Sequence, residues 1–214
     1  RAAVDIGGTF TDLVYLDEDS GVVNLGKTST TPGRFEVGVL NVLDENHVHG
    51  ISFLAHGTTV IINALTERRG STTALLTTRG FRDVLIIGRE KRYQVYDLQI
   101  EKPAALIPRR LIGEVSERIL ADGSVRTPLD ADDARRAIRE LAARGVSTLA
   151  VCLLHAYLNP AHERRVAALA AEVAPHVTVT LSHEVSPTFR EYERTSTTVV
   201  NAYVMATVCD YLRG

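Results

Sequence analysis

Short apolar runs and alternating positions dominate the first part of the chain. Residues 2–6 form an apolar run of strand-forming residues, positions 12–16 alternate, and 22–27 again have an extended pattern. A Gly-Gly-Thr turn separates the first two runs, and the turn-forming stretch 17–21 separates the second from the third. The pattern predicts three antiparallel strands joined by tight turns, which is a β-meander.

Helical and strand patterns alternate after the meander. The predicted elements are a helix beginning at Phe35, a buried strand over 51–55, a helix over 58–69 stopped by Gly70, a strand over 72–77 and a short helix over 80–87. This order implies parallel pairing, so we expect these strands to be added to the meander.

The second half of the chain also alternates between strands and helices. The first predicted elements are a hairpin over 111–120 and 125–129, with the two-residue turn Asp122-Gly123, and a helix over 131–144 that is capped by Asp130 and ended by Gly145. A central strand over 146–154 and a helix with Pro160 at its first position follow. The last predicted elements are a strand over 177–181 and a long amphipathic helix over 188–212. Residues 88–110 are predicted to form a surface connection. The chain is therefore predicted to be an α/β protein.

Composition and net charge limit the kinds of molecule that the chain is expected to bind. The chain has 214 residues, of which 45% are hydrophobic, and a net charge of −2, which gives no electrostatic basis for binding nucleic acid. No apolar run reaches the ~18 residues of a membrane helix, and no signal peptide is visible. Cys152 lies in an apolar run and is predicted to be buried, and with Cys209 far away we expect no disulfide and a reducing, cytoplasmic setting. The start at Arg1 leads us to expect a part of a longer protein.

The stretch GVVNLGKT, residues 21–28, matches the phosphate-loop pattern G-x-x-x-x-G-K-[ST]. A phosphate loop lies between a strand and a helix, where free amides and the helix N-terminus face the anion. Here the interior of the pattern is itself the predicted strand, and the proline and glycine that follow argue against a helix starting at Lys27. We therefore predict that Lys27 lies in a sheet and not in a nucleotide-binding loop.

The better candidate for phosphate binding is the turn between the first two strands. Residues 5–12 read DIGGTFTD, with Asp5 ending one strand and Asp12 opening the next. The two glycines let the backbone approach a ligand closely, amides and threonine hydroxyls can bind phosphate oxygens, and a carboxylate can hold Mg²⁺ through water. The alternative is a tight hairpin whose side chains satisfy local backbone groups. The two acids favour the phosphate site.

This motif resembles the first phosphate motif of the actin/hexokinase/Hsp70 ATPase superfamily. Four further segments resemble the hydantoinase A/oxoprolinase family: HGTT with NAL (56–65), TTRGFRDVLIIGR (77–89), VCLLHAYLNPAHE (151–163) and REYERTSTTVVNAYV (190–204). The resemblance covers nearly the whole chain. It implies an α/β, ribonuclease-H-like N-terminal half, with a mixed sheet flanked by helices and additional α/β elements. We expect a domain over 1–185 and, over 186–214, a long helix leading into a second half.

The family includes ATP-dependent hydantoinases, 5-oxoprolinase and a subunit of acetone carboxylase. The resemblance implies an ATP-dependent hydrolase of cyclic amides that activates a carbonyl by phosphorylating it, with ATP and Mg²⁺ as cofactors. The implied partners are a hydantoin, 5-oxoproline or a ketone, the remaining part of the enzyme, and a hydantoinase B-type subunit or domain. An acetone-carboxylase-type subunit and a non-catalytic actin-like ATPase switch are the alternatives, and segment 190–204 disfavours a sugar or acetate kinase.

The resemblance also implies roles for single residues. Asp5 is expected to organise Mg²⁺ and water, and Asp12 to be a second acid at the catalytic centre. The expected phosphate contacts are Gly7, Gly8, Thr9 and Thr11. No second Gly-Gly-Thr and no glycine-rich adenosine loop is found, so we expect this chain alone to bind Mg-ATP weakly and to be inactive. Sub-micromolar affinity in a calorimetric titration would overturn that expectation.

Four residues where a strand feeds a helix form a further candidate site. They are His56, Gly57, Thr58 and Thr59. Thr58 can cap the helix and leave amides aimed at a phosphate or a substrate carbonyl, or the segment is a simple cap with a tightly packed glycine.

Other polar positions have less specific interpretations. The pair His47 and His49 is interpreted as surface, because no matching lysine or carboxylate constellation follows. His155 and His183 either face a cleft or are polar strand ends, and polar positions 191–201 are either solvated, ion-paired or turned toward a second half.

Overall fold

The computed structural model describes residues 1–31, 33–89, 95–97, 99–100 and 103–213. The chain divides into two compact units: unit 1 comprises Arg1–Gly70 and Val204–Gly214, and unit 2 comprises Ser71–Tyr203. Each unit has its own sheet and its own hydrophobic core. No helix in the described part of the chain is long and apolar enough to cross a membrane.

Unit 1 contains a four-stranded mixed sheet. Its elements are β1 (Ala2–Ile6), β2 (Phe10–Leu16), β3 (Val23–Ser29), α1 (Phe35–Glu45), β4 (Leu54–Thr58) and α2 (Val60–Thr66). The strand order is β3-β2-β1-β4, in which β1, β2 and β3 pair antiparallel and β4 pairs parallel to β1. The predicted meander is confirmed, and so is the prediction that Lys27 lies in a strand and not in a phosphate loop.

Strand alternation gives this sheet a buried face and an open face. Ala2, Val4 and Ile6 in β1 are buried, and with Leu13 in β2 they pack against Val42 of α1. The residues between them turn the other way. We call this second side the open face; it carries Ala3, Asp5, Asp12, Val14, Leu25 and Lys27, with Ala55 and Gly57 in register on β4.

Two predicted elements of unit 1 differ most from the observed ones. The strand predicted over 51–55 is instead Leu54–Thr58, and it is not buried, because β4 is an edge strand and Leu54 is 45% exposed. The helix predicted over 58–69 is limited to Val60–Thr66. Thr58 belongs to β4, and the left-handed backbone of Arg68 (φ 57°) ends the helical path before Gly70.

Unit 2 contains a four-stranded parallel sheet and a small hairpin. Its elements are β5 (Thr73–Thr78), α3 (Val84–Ile87), a 3-10 turn (Arg109–Leu111), β6 (Ile112–Val115), β7 (Arg118–Ile119), β8 (Val125–Thr127), α4 (Ala131–Ala142), β9 (Thr148–Cys152), α5 (Ala161–Val173), β10 (Thr178–Leu181) and α6 (Ser182–Val185). The sheet order is β10-β9-β5-β6, and every residue of the central strands β5 and β9 is buried. The last helix, α7 (Glu191–Arg213), begins in unit 2 and ends in unit 1.

The expectation that β5 joins the meander is wrong. β5 pairs with β6 and β9 in the second sheet, and its side chains are buried on both faces. The predicted hairpin is also smaller than expected, because Ile112–Val115 pairs in parallel with β5 and only β7 and β8 form the hairpin. Its connection has three residues between Leu120 and Ser124, with Gly123 at φ 82°, the left-handed position that such a loop requires.

The helix predictions in unit 2 hold with small shifts. Asp130 caps α4 by accepting from the amides of Asp132 and Asp133, as predicted. Pro160 is at the N-cap of α5, one position before the predicted one. The short helix α6 was not predicted, because four residues show no period. The connection predicted over 88–110 lies partly outside the described residues.

A buried polar centre joins three elements of unit 2. The carboxylate of Glu163 accepts hydrogen bonds from the Leu153 amide at 2.9 Å and from the Ser182 hydroxyl at 2.6 Å, and it lies 2.7 Å from Nδ1 of His183. Arg194, which is 1% exposed, donates to Ser182 Oγ and to the carbonyls of Leu153 and Thr188. The polar sequence at the start of α7 therefore includes a buried structural cation.

Cys152 lies beside this centre, as its apolar context predicts. The residue is 2% exposed, and its sulfur accepts a hydrogen bond from Thr195 Oγ1 at 3.1 Å. Burial raises the pKa of the Cys152 thiol above its ordinary value. Both cysteines are free.

Asp133 ties α4 to two other parts of unit 2. Its carboxylate accepts from the Ser116 amide at 2.8 Å and from Arg79 Nη2 at 2.9 Å, and it also pairs with Arg136. Burial by itself raises the pKa of Asp133. The hydrogen bonds from Ser116 and the charges of Arg79 and Arg136 outweigh that effect, so the pKa lies below its ordinary value.

The lowered pKa gives a pH-dependent contribution to stability. The contribution is present above the unfolded pKa of about 3.9 and is lost as the pH falls through the folded value. We expect Asp133→Asn to lower the free energy of unfolding by about 1–3 kcal/mol at neutral pH, with the difference shrinking below about pH 4. Urea unfolding across this range, with Asp132→Asn as the exposed control, measures it; a difference that does not change with pH contradicts the assignment.

Candidate functional site

Four polar or small residues form a row across the open face of the unit 1 sheet. The strand register pairs Asp5 with Asp12 and with Gly57, and it pairs Asp12 with Lys27. Neighbouring strands are ~4.8 Å apart, so the row spans roughly 14 Å. All four residues lie at the edge of the sheet where β1 and β4 end. The sheet therefore gathers two carboxylates and one ammonium group at a single edge.

The Gly-Gly-Thr turn closes this edge between β1 and β2. The Gly7 amide donates to the Phe10 carbonyl at 2.9 Å, and the Thr9 carbonyl accepts from the Thr30 amide at 3.0 Å. Within the described residues, the amides of Gly8 and Thr9 have no hydrogen-bond acceptor, and both residues are exposed. Successive free amides in a turn are suited to binding an anion.

Close approach of the backbone disfavours a side chain at Gly7 in this turn. A Cβ on Gly7 would lie 3.0 Å from the Phe10 carbonyl oxygen, and a Cβ on Gly8 would lie 2.9 Å from Nδ2 of Asn63 in α2. The first neighbour is backbone and cannot move away easily. The turn therefore brings its backbone, without side chains, to the edge of the sheet.

The two acids of the motif have different surroundings. Asp12 Oδ1 accepts from Lys27 Nζ at 2.7 Å, and the same ammonium lies 4.7 Å from the centre of the Phe10 ring. Asp5 is exposed, and its carboxylate makes no hydrogen bond or ion pair in the described part of the chain. Asp5 is thus the acid available to a cation or to water, while the charge of Asp12 is already balanced.

Thr11 lies on the buried face and not with the acids. It is fully buried, its hydroxyl is 3.0 Å from Thr30 Oγ1, and Thr30 Oγ1 in turn donates to the Gly7 carbonyl. A Cβ on Gly38 of α1 would lie 2.7 Å from Thr11 Oγ1, which shows how closely the helix covers it. Thr11 supports the turn from behind, while the other predicted phosphate contacts, Gly7, Gly8 and Thr9, lie in the turn itself.

The segment after β4 is joined to the end of β1. Thr58 Oγ1 donates to the Ile6 carbonyl at 3.2 Å and accepts from the Val60 amide at the start of α2, also at 3.2 Å. The Thr59 amide donates to the same Ile6 carbonyl at 3.1 Å. The N-cap of α2 is Thr59 and not Thr58 as predicted, because the β4 strand runs through Thr58, and Gly57 lies beside Asp5.

Tyr211 of α7 contacts this segment, which the sequence did not indicate. Its hydroxyl is hydrogen-bonded to Nε2 of His56, and its ring lies 5.3 Å from that of Phe35. Burial is the main cause that raises the pKa of the Tyr211 phenol above its ordinary value. A hydrogen bond with Thr58 lowers this pKa, and the negative charge of Asp5 raises it by a smaller amount. The phenol therefore stays protonated at neutral pH and is able to donate to His56.

Comparison with known proteins identifies the family. The family model described as the hydantoinase/oxoprolinase N-terminal region matches residues 1–174. The chain belongs to the hydantoinase/oxoprolinase family.

Two relatives show the breadth of the hydantoinase/oxoprolinase family. The acetophenone carboxylase gamma subunit of Aromatoleum aromaticum is 37% identical over 94% of this chain and 30% of its own length. The caprolactamase subunit alpha of Pseudomonas jessenii is 35% identical over 99% of this chain and 32% of its own length. The chain thus spans about a third of the length of these relatives.

Solved structures of family members match the whole chain. The crystal structure of the ATP-dependent caprolactamase from Pseudomonas jessenii matches with a TM-score of 0.85 and 35% identity, covering 100% of this chain and 32% of that one. The nucleotide-free structure of acetone carboxylase matches with a TM-score of 0.86 and 27% identity, covering 100% of this chain and 34% of that one. The α/β fold with one mixed and one parallel sheet is therefore a fold of this family.

A magnesium ion in this hydantoinase/oxoprolinase chain would have few protein ligands. No group of three or more His, Cys, Asp or Glu side chains able to hold a metal occurs in the described ranges. Mg²⁺ keeps several waters and commonly binds through one or two carboxylates plus substrate phosphates. A single unpaired carboxylate, Asp5, beside a turn with unpaired amides is consistent with this mode of binding. His47 and His49 are exposed.

Proposed function

We propose that this chain is the N-terminal, phosphate-binding half of an ATP-dependent hydrolase of cyclic amides that activates the carbonyl by phosphorylation. The observation that carries the proposal is the unpaired Asp5 carboxylate beside the free amides of Gly8 and Thr9. Membership of the hydantoinase/oxoprolinase family supports it. The order β3-β2-β1-β4, a meander with one parallel strand, fits the ribonuclease-H-like half of an actin-type ATPase.

In this proposal each part of the site has a separate task. The amides of Gly8 and Thr9 bind phosphate oxygens of ATP, and Thr11 and Thr30 hold the turn in place for them. Asp5 would hold Mg²⁺, which when bound would supply positive charge to offset that of the transferred phosphoryl group. Lys27 and Asp12 lie beside the phosphate-binding turn. Their ion pair offsets the negative charge of Asp12, which would otherwise repel the phosphates. Gly57 leaves space beside Asp5 for the reacting carbonyl.

The proposed reaction has three steps. The amide oxygen attacks the γ-phosphorus of ATP and ADP leaves with the bridging oxygen. Water then adds to the carbonyl carbon, which phosphorylation has made electrophilic, and loss of the ring nitrogen opens the ring to an acyl phosphate. A second water releases inorganic phosphate and the free carboxylate. An unstrained amide is a poor electrophile, so the ATP is required to make ring opening feasible.

A ketone-phosphorylating carboxylase subunit is the second candidate. The 37% identity to the acetophenone carboxylase gamma subunit and the TM-score of 0.86 to acetone carboxylase favour it. Both candidates share the turn, Asp5 and the need for a further part of the enzyme and a hydantoinase B-type partner. Both also fit a cytoplasmic setting.

Substrate-dependent ADP release by the full-length protein, assembled with its partner subunit, tests the proposal. ADP release and ring-opened product in the presence of a hydantoin, 5-oxoproline or caprolactam is the expected result. Release that depends on acetone and bicarbonate would replace the hydrolase by the carboxylase. ATP turnover that is indifferent to every carbonyl compound would contradict both and favour an ATPase switch.

A further inference from the structure

Four arginine side chains of unit 2 line one cavity of about 260 Å³. The arginines are Arg79, Arg82, Arg136 and Arg144, and the carboxylates in the same lining are those of Glu114, Asp133 and Glu140. The other lining residues belong to β6 and α4 and are apolar or glycine. None of the residues of the Gly-Gly-Thr turn or of the row on the open face takes part, so the cavity has no role in the function proposed above.

Two of the four arginines already share a carboxylate. Asp133 accepts a hydrogen bond from Arg79 Nη2 at 2.9 Å and pairs with Arg136 through its other oxygen. Glu140, one turn further along α4, lies 3.9 Å from Nε of Arg136. These two carboxylates therefore balance the charges of Arg79 and Arg136.

Arg82 and Arg144 have no carboxylate partner in the part of the chain that the structure describes. Instead, Arg82 Nη2 donates to the carbonyl of Arg109 at 3.1 Å, and Arg144 Nη1 donates to the carbonyl of the next residue, Arg110. Asp83, the neighbour of Arg82 in sequence, accepts from Arg109 with both of its oxygens, at 2.6 and 3.0 Å. The two carbonyls fix the positions of both guanidinium groups, but they do not neutralise the charges.

The charges that line the cavity do not cancel. Glu114, the third carboxylate, accepts from the Gly80 amide at 2.7 Å and forms no ion pair in the described ranges. With all charged groups of the lining included, four arginines and three carboxylates leave an excess of one positive charge. Nε of Arg82 is also buried, without an acceptor among the described residues. Like charges around one small cavity repel, and an anion bound among them offsets that repulsion.

We propose that this cavity is a second binding site of the chain, whose ligand is a phosphate group held by Arg82 and Arg144. A guanidinium group carries five N–H donors in a planar fork that matches phosphate oxygens, and the carbonyls of the turn occupy only part of each fork. The arginines come from two directions, because Arg79 and Arg82 follow β5 whereas Arg136 and Arg144 belong to α4 and its end. A tetrahedral oxyanion offers oxygens in several directions, whereas a carboxylate presents two oxygens in one plane.

The size of the cavity limits the ligand to a small one. Its volume is just below the range of roughly 300–1,000 Å³ that is usual for small-molecule sites. Inorganic phosphate or a small phosphate ester therefore fits, with the apolar residues of β6 and α4 available to the organic part of an ester.

Calorimetric titration of the full-length protein with inorganic phosphate, at an ionic strength held constant with sodium chloride, tests the site. We expect saturable binding that Arg82→Met and Arg144→Met each weaken by about 10-fold or more, because each change removes a charged donor. Arg139→Met is the matched control, since Arg139 is an exposed arginine of α4 that does not line the cavity, and its effect is expected to stay within about 2-fold. Absence of saturable binding, or binding that is the same in all variants, would overturn the proposal.

A measurement on the unmodified protein locates the site without any substitution. Phenylglyoxal modifies accessible guanidinium groups, and mass spectrometry of peptides measures the rate at each arginine. With phosphate at about ten times its Kd, we expect modification of Arg144 to slow by about 10-fold and that of the equally exposed Arg139 to stay unchanged. Equal protection of the two arginines would contradict the assignment even if the methionine variants failed to fold.

Two further probes identify the source of the phosphate group. Tighter binding of glycerol 3-phosphate than of inorganic phosphate would support a phosphate ester as the ligand, and the reverse order would support free phosphate. Succinate, which carries two carboxylates and no phosphate, is expected to bind about 10-fold more weakly than either. Succinate binding as tight as that of both phosphate compounds would overturn the choice of a phosphate group.

Discussion

Replacing Asp5 with asparagine in the full-length enzyme is expected to lower substrate-dependent ADP release by at least about 100-fold. Asparagine keeps the shape of the side chain but removes the charge that would hold Mg²⁺ and its waters. The carboxylate is exposed and has no partner in the described residues, so its removal leaves the packing of the sheet intact. The unfolding temperature is therefore expected to remain nearly unchanged. Steady-state ADP release and thermal unfolding of the same preparations measure both quantities.

Asp44→Asn is the matched control for this prediction. Asp44 is also an exposed aspartate of unit 1, but it lies in α1 and away from the row on the open face. We expect this variant to keep the activity and the unfolding temperature of the unmodified enzyme. An Asp5→Asn enzyme with normal turnover would show that the carboxylate takes no part in the reaction. A large fall in its unfolding temperature would show that Asp5 is structural.

Replacing Arg194 with methionine is expected to lower the free energy of unfolding of unit 2 by about 3–5 kcal/mol. The change would leave the fully buried Glu163 carboxylate without the buried cation that reaches it through the Ser182 hydroxyl. It would also remove the donors to the carbonyls of Leu153 and Thr188. Methionine fills much of the same volume, so the loss reports charge and hydrogen bonding. Denaturant unfolding followed by circular dichroism measures it.

Arg164→Met is the control for the buried arginine. Arg164 is adjacent to Glu163 in α5 but is exposed, so its loss is expected to change the free energy of unfolding by no more than about 0.5 kcal/mol. Similar losses for the two variants would mean that Arg194 stabilises the unit through its aliphatic part and not through its charge.

The local pattern of the sequence was sufficient for the unit 1 sheet but not for assigning every strand to a sheet. Alternation determines β1 and β2, because one face of each of these strands is apolar. In β3 the apolar Val23 and Leu25 are exposed, so the tight turn and the pairing with β2 define that strand. β5 is buried on both faces, so its residues carry no alternation. Such a strand is recognisable as a strand, but its neighbours depend on contacts with β6 and β9, which lie far away in sequence.

The candidate site shows the same division. The turn and its two acids follow from a short motif, and strand alternation alone implies that Thr11 and Asp12 lie on opposite faces of β2. The pairing of Lys27 with Asp12 depends on the strand register that the turn over 17–21 sets. Lys27 therefore forms an ion pair, although the sequence around it matches a phosphate-loop pattern. The contact between Tyr211 and His56 joins residues 155 positions apart, which no local pattern can reveal.

Chemical modification of the buried Cys152 thiol can report local opening of unit 2. Alkylating reagents need a thiolate that they can reach, and this sulfur is both enclosed and held in its protonated form by its surroundings. Cys209, which is only partly covered, has no comparable protection. Slow modification at position 152 would thus follow the rate at which the end of β9 separates from α7, and the intact molecule should retain one unreacted cysteine long after the other is consumed.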